Sequence, residues 1–465
     1  MDSACALADL IVFFGQVVKR IFEAVEKLGT EYDARSLENY VEQQMKALGA
    51  VLLETALRIR MKTRSLPLSL PCACGHRQHC MGKQPLTVRG VLGKIELEER
   101  YYYYCDHCKA AQFLGDELRG ETEFTQLAEE RMALAGQGGA YAKAAKLLKR
   151  WGIIEVAAST VRNVCVRVGR RIRASLDHDA ARQHVVDLPA EDQSACLYIG
   201  VDGTMVGRVD PQHRHRKSRH PSRKVRGKTA LKNFFHEVKT LVIFSTDKAG
   251  EVVRKTFHAT QARIEEFREH VTAEAAKRGA DKARLLVFLG DGAPWIWKMA
   301  SELFPKALQI LDWYHATEHL WSVARVRFGS EEKLLWAWVE QRKTELWDGK
   351  FNNVLAALRT LAEEMGLPDQ KLSDEARERD PRWIAHRAVG YFEDNRERMD
   401  YPHFRALNLC IGSGIVESSC KHVVGERLKG TGMRWDEEGA EDILALRCHD
   451  LNDRWDTLWP AKATA

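Results

Sequence analysis

The sequence has no unbroken apolar run approaching the roughly 18 to 20 residues that a membrane-spanning helix requires. Its first apolar stretch, Leu7 to Leu28, is interrupted by Lys19, Arg20, Glu23, Glu26 and Lys27 and lacks a small-residue cleavage site. Neither a signal peptide nor a membrane anchor is expected. A secreted-type disulfide framework is also missing. The eleven cysteines fall partly into close pairs, which favours a reducing cytosol and metal binding. A strong charge of one sign is lacking too: the net charge is +6 and the pI about 8.6, too mild to name a partner. There is no internal repeat and no low-complexity linker, so boundaries must come from changes in pattern.

What is present describes a multidomain α+β protein able to bury sizeable cores, with 465 residues, 45% hydrophobic and 29% charged. Such a length suggests two to four domains. Charge is concentrated where the total is not. Between Arg208 and Lys232 lie Arg214, Arg216, Lys217, Arg219, Arg223, Lys224, Arg226 and Lys228, with His213, His215 and His220 among them and Asp210 the only acid. Such a block suits a phosphate-binding surface or, equally, a solvated loop.

Residues 1–66 form an N-terminal helical region. Leu7, Ile11, Phe14, Val18, Ile21, Val25 and Leu28 recur at alternating steps of four and three, and Leu37, Val41, Met45, Leu48 and Leu52 continue the stripe after Gly29. This seam fits either a self-packed helical hairpin or a dimerising coil. Residues 67–118 read as a zinc-ribbon-like β unit. Cys72, Cys74, Cys105 and Cys108 flank a hairpin that turns at Gly93, and four thiolates can close a structural zinc site. His76, His79 and Cys80 are alternative ligands. Residues 119–190 read as helical: Ala140 to Trp151, a stop at Gly152, then a helix from Ser159 or Thr160 to about Ile172 carrying Arg162, Arg167, Arg170 and Arg171. Helix, short turn and basic helix is the pattern of a DNA-binding helix-turn-helix, although ordinary helical hairpins share it.

From residue 191 to 315 strands alternate with helices: Leu197–Val201, Phe234–Ser245, Val252–Thr260, a helix Ala262–Arg278, then Leu285–Leu289 and Ala307–Leu311. Residues 316–408 are helical and rich in tryptophan, an insertion into or extension of the α/β core, and 409–465 supply further helices. Asp202 and Asp291 each follow an apolar strand and precede glycine, at the edge where open α/β sheets place ligands. Glu417 lies near the start of a helix from about Ser413 to Lys429, with Lys421, Arg427, Lys429 and Arg434 beside or beyond it as candidates for DNA phosphates. Converging carboxylates repel one another unless divalent cations neutralise them, and Mg²⁺ favours oxygen ligands.

Four segments carry a family resemblance: Tyr198-Ile-Gly-Val-Asp-Gly-Thr204, Gly290-Asp-Gly-Ala-Pro-Trp-Ile-Trp297, Leu311-Asp-Trp-Tyr-His-Ala-Thr-Glu-His-Leu320, and Ile411-Gly-Ser-Gly-Ile-Val-Glu-Ser418 with Arg427-Leu-Lys-Gly-Thr-Gly-Met-Arg-Trp435. Together they span about residues 196–450. The chain resembles the DDE transposases of bacterial insertion sequences, the Kra-type family, and more distantly the Mutator-like transposases. The cationic stretch after Asp202 is longer than in typical members. The resemblance implies an RNase H-like catalytic core interrupted by an all-helical insertion, and the triad Asp202, Asp291 and Glu417 holding Mg²⁺ or Mn²⁺. It implies cleavage and strand transfer on double-stranded DNA, both terminal inverted repeats and target, by a homo-oligomer in the cytoplasm, associated with the nucleoid. Asp312 and His315 match an Asp-x-x-His signature of the Mutator-like group, either supporting the second acid or organising a helix start. A nuclease that cuts without joining and a domesticated DNA-binding regulator are the competing readings.

Overall fold

The larger sheet is built around a buried strand, β5 (Cys196–Gly207), flanked on one side by antiparallel partners and on the other by parallel ones. Its strand order is β7-β6-β5-β8-β9, with β6 spanning Phe235–Thr246, β7 Val252–Thr260, β8 Leu285–Gly290 and β9 Leu308–Leu311. This computed structural model describes residues 3–28, 33–63, 67–114, 122–182, 196–209, 235–247, 249–412 and 414–459. Two units divide the chain between Cys165 and Val166.

In the first unit, α1 (Ser3–Leu28) packs on α2 (Ala34–Thr63). The expected seam is not its buried face: Val17, outside that seam, is buried, whereas Ile11, Phe14 and Val25 of the seam are exposed. Leu53 and Leu57 of α2 cover Leu86, Val88, Ile95 and Leu97 of a hairpin. That hairpin comprises β2 (Arg77–Gly90) and β3 (Gly93–Tyr104), with β1 (Ser69–Pro71) and β4 (Ala111–Leu114) at its edges. Gly93, at φ 132°, supplies the left-handed backbone that its turn requires. Three helices follow, α3 (Gln126–Gln137), α4 (Tyr141–Arg150) and α5 (Ala158–Arg182). Thr125 caps α3, and Gly136 lets α3 approach Cys165 of α5, where a Cβ would stand 2.3 Å from the sulfur. Helix α5 runs about ten residues beyond its expected end at Ile172.

In the second unit β5 pairs with β6 from Cys196↔Thr246 to Gly207↔Phe235, whereas its parallel pairing with β8 stops at Val201↔Gly290. The apolar run ends at Val201, where sequence patterning ends the strand. The strand itself continues because β6 offers an antiparallel partner for every residue to Gly207. Asp202 therefore lies within a strand, at the point where one of its two neighbours departs. Helix α6 (Ile264–Lys277) connects β7 to β8, and α7 (Pro294–Leu303) connects β8 to β9. Helices α8 (Trp313–Phe328), α9 (Glu332–Trp347), α10 (Phe351–Met365), α11 (Asp374–Arg377), α12 (Pro381–Asp394) and α13 (Tyr401–Ala406) follow. They share the core of the sheet through Leu320, Leu346, Leu358, Phe392 and Phe404.

The chain then returns to the sheet through α14 (Gly414–Ser419), a π-helical turn Cys420–Gly425, α15 (Glu426–Leu428) and α16 (Glu437–Leu451). The helix expected from Ser413 to Lys429 is thus wound in three registers. No described helix is long and apolar enough to cross a membrane.

Candidate metal centres

Asp202 and Asp291 are neighbours across the sheet. Val201 and Gly290 are the last parallel pair, so the next residue on each chain is a carboxylate. Asp202 Oδ1 accepts the Gly203 N–H at 2.6 Å, and its Oδ2 accepts the Cys420 thiol at 3.0 Å. Thr240, opposite Asp202 in β6, donates to the Asp202 carbonyl at 3.2 Å and lies 2.9 Å from the Cys420 sulfur. Asp291 Oδ1 accepts the Ala293 N–H at 2.8 Å at the entry to α7. Burial pushes the Asp291 carboxyl above its usual range, and the charge of Asp202 pushes it the same way. Two carboxylates that resist joint ionisation are a fitting place for a divalent cation.

Glu417 reaches the sheet because α14 lies directly on β5. A Cβ on Gly200 would stand 2.4 Å from Val416 Cγ2, so only glycine permits that approach. One strand further along, Asp312 caps α8, fully buried, with Oδ1 accepting the Tyr314 N–H at 2.6 Å. The Trp313 N–H donates to the Ile411 carbonyl at 2.9 Å, tying the approach to α14 to the start of α8. As a result the ligand atoms of Asp312, His315 and Glu417 lie within 4.8 Å of one another. Among the described residues no such cluster takes in Asp202, Asp291 and Glu417 together. The acids lie along the edge of β5, β8 and β9, with Glu417 at the β9 end.

Four neighbours carried no sequence signal of their own: Thr240, His319, Tyr391 and Cys420. Tyr391 donates to the Asp291 carbonyl at 2.7 Å and stacks on His319, ring centroids 3.8 Å apart. Gly292, at φ 99°, makes room for it; a Cβ there would lie 2.5 Å from the ring. Burial, then the charge of His315, brings the His319 imidazole down to about 4. Glu426 and Glu441, the other acids near this end of the sequence, are committed elsewhere. Glu426 binds Arg447 at 2.8 Å and Glu441 binds Thr260 at 2.8 Å.

The basic candidates separate. Lys421, Lys429 and Arg434 are exposed; Lys429 donates to Thr204, and Arg434 lies over the Phe235 ring. Arg427, expected beside phosphates, is instead 1% exposed and lies over the Trp435 ring at 4.8 Å. Arg162 is exposed on α5 and Arg167 is half-buried. Arg170 is exposed but stands 3.2 Å from Glu438. Arg223 and Lys224 lie outside the described residues.

In the first unit the two cysteine pairs meet. Cys72 Sγ is 3.3 Å from Cys108 Sγ and Cys74 Sγ is 3.6 Å from Cys105 Sγ, all four within 4.8 Å. Sulfurs around a tetrahedral zinc at about 2.3 Å stand about 3.8 Å apart, so the donor set fits that ion. The backbone N–H of Cys74, then the Cys108 thiol, bring the Cys72 thiol down to about 6, which favours the thiolate that a metal needs. His76 is near this cluster and stacks on His107 at 3.9 Å. His79 and Cys80 belong to no such group among the described residues.

The fold and these sites define a mixed α+β protein with a four-cysteine cluster in one unit and a row of acids along the β5–β8–β9 edge in the other. The chain belongs to the uncharacterised protein family UPF0236, whose model matches residues 32–454. No curated protein matches it.

Proposed function

We propose that this chain is a DDE transposase, cutting and joining DNA strands on an RNase H-like core with a helical insertion between its second and third acids. One observation carries the reading. Asp202 and Asp291 are adjacent on parallel β5 and β8 of a sheet ordered β7-β6-β5-β8-β9, and the helix bearing Glu417 lies on β5 at Gly200. Mg²⁺ or Mn²⁺, when bound, supplies activation of a water or 3′-hydroxyl and stabilises the departing oxygen.

The chain's own residues do the rest. Gly203 and Cys420 fix the two oxygens of Asp202, and Tyr391 braces the backbone of Asp291. Lys421, Lys429 and Arg434 offer cations to phosphates along the same helix and the loop after it. Zinc in the Cys72, Cys74, Cys105 and Cys108 cluster is structural, since four thiolates close its coordination. The first unit, with Arg162 exposed on α5, is assigned to binding element ends. The working form is a homo-oligomer acting on the nucleoid.

A strand-transfer assay with end-labelled terminal repeats and a supercoiled target tests this. Joined products support transposition, whereas cleavage without joining indicates a nuclease. Binding without either indicates a DNA-binding regulator. Asp291→Asn should abolish cleavage while leaving DNA binding intact.

A further inference from the structure

We infer that Asp312, His315 and Glu417 form a metal site of their own, selective for a first-row ion such as Mn²⁺ over Mg²⁺. This deepens the proposed function, because the site borders the Asp202 and Asp291 pair, but it rests on separate geometry. The three ligand atoms lie within 4.8 Å of one another. Ligands around an octahedral ion with bonds of about 2.1 Å stand about 3 to 4.2 Å apart, so a small inward adjustment closes the shell on one face.

The parts of the site are held in different ways. Asp312 is fully buried, and its Oδ1 is oriented by the Tyr314 N–H. His315 has Glu318 Oε2 3.4 Å from Nδ1. A carboxylate that accepts the N–H of one ring nitrogen leaves the other for an ion, the arrangement typical of metal-bound histidine. Glu417 is exposed. Imidazole is what sets the preference: Mg²⁺ holds to oxygen ligands, whereas first-row divalent ions, Mn²⁺ included, accept a nitrogen donor beside carboxylates.

The test is Mn²⁺ binding to the full-length protein without DNA, followed by loss of the free-ion electron paramagnetic resonance signal. We expect a site that Mg²⁺ in large excess does not empty. His315→Ala and Glu417→Gln should each weaken it about tenfold or more, the scale of losing a ligand or its support. Glu417→Gln also removes the third acid of the proposed triad, so Asp291→Asn is its control: that variant should leave this Mn²⁺ in place. Unchanged Mn²⁺ affinity in Glu417→Gln, or displacement by Mg²⁺ at equal concentration, overturns the site. Mn²⁺ bound as described in a protein that makes no cleaved or joined strands overturns the transposase reading and leaves the site standing. Strand transfer by a wild-type protein that holds no Mn²⁺ in preference to Mg²⁺ does the reverse.

Discussion

Replacing Gly200 by alanine places one methyl group between β5 and the helix that carries Glu417. That methyl would stand 2.4 Å from Val416 Cγ2 and 3.1 Å from Val242 Cγ1, where carbon atoms rest at about 3.5 to 4.0 Å. Relief requires α14 to retreat by about 1 Å or the strand to bow. Overpacking of this kind costs about 1 to 3 kcal/mol, and a displacement of about 1 Å at a catalytic group lowers rates on the order of a hundredfold. The assay is chemical unfolding of Gly200→Ala, Val416→Ala and the double variant. Val416 is 3% exposed, so Val416→Ala alone should cost about 2 kcal/mol from lost burial and a partial cavity. In the double variant the alanine methyl enters the space that valine vacated, and the combined loss should fall short of the sum by about 1 kcal/mol or more. Losses that add to within about 0.5 kcal/mol, or a Gly200→Ala protein as stable as wild type, would refute close packing as the reason for glycine here.

Asp291→Asn should stabilise the metal-free protein at neutral pH. Because the folded chain holds the Asp291 proton to higher pH than the unfolded chain does, wild-type stability falls as pH rises through that window, and unfolding in chelator should show the advantage vanish as pH falls below about 4, once Asp is protonated in the unfolded state as well. Glu274 is the opposite case: burial opposes its charge, but Arg454 at 2.9 Å and Lys277 at 3.0 Å outweigh it and bring the carboxyl to about 2. Its contribution is complete above the ordinary carboxylate range and lost as pH falls toward that value, so Glu274→Gln should cost about 3 kcal/mol at pH 7 and progressively less in acid denaturation. Elemental analysis should find about one zinc per chain, and Cys105→Ala should lose it and expose β1 to β4 to protease; a Cys105→Ala protein with full zinc content would remove that residue from the ligand set.

Much of the second unit was legible because β5, β6 and β8 carry buried apolar runs and a turn signal at Gly250 separates β6 from β7. β7 falls at its expected limits, and β6 and β8 within a residue of theirs. The cysteine cluster was legible for a similar reason, since spacing alone brings each pair to one end of a hairpin. What escaped depended on partners distant in sequence. The extension of β5 past Val201 comes from β6. Cys420 and Tyr391 matter only because Asp202 and Asp291 lie beside them, 218 and 100 residues away. Arg427 carries the same charge as Lys429, and nothing in its own neighbourhood of sequence says that Trp435 folds back over it. The position of Glu417 beside Asp312 and His315 depends on one backbone hydrogen bond, Trp313 to Ile411, that no periodicity encodes.

The π-helical turn between α14 and α15 makes length, more than identity, the inherited quantity in this segment. Each residue of an α-helix advances about 100° around its axis, and a π turn accommodates an extra residue without breaking the helix. Rewinding Cys420–Gly425 as a uniform α-helix at its present length would turn Glu417 and Lys429 by about 100° relative to each other, and Arg427 would leave its place over Trp435. Loss of one residue there would restore the phase, because the wider π winding turns less per residue than the α winding. Substitutions at exposed Lys421 or His422 leave that phase untouched. Drift within the family should therefore accumulate as replacements along this turn, with a residue lost only where the turn reverts to α-helix.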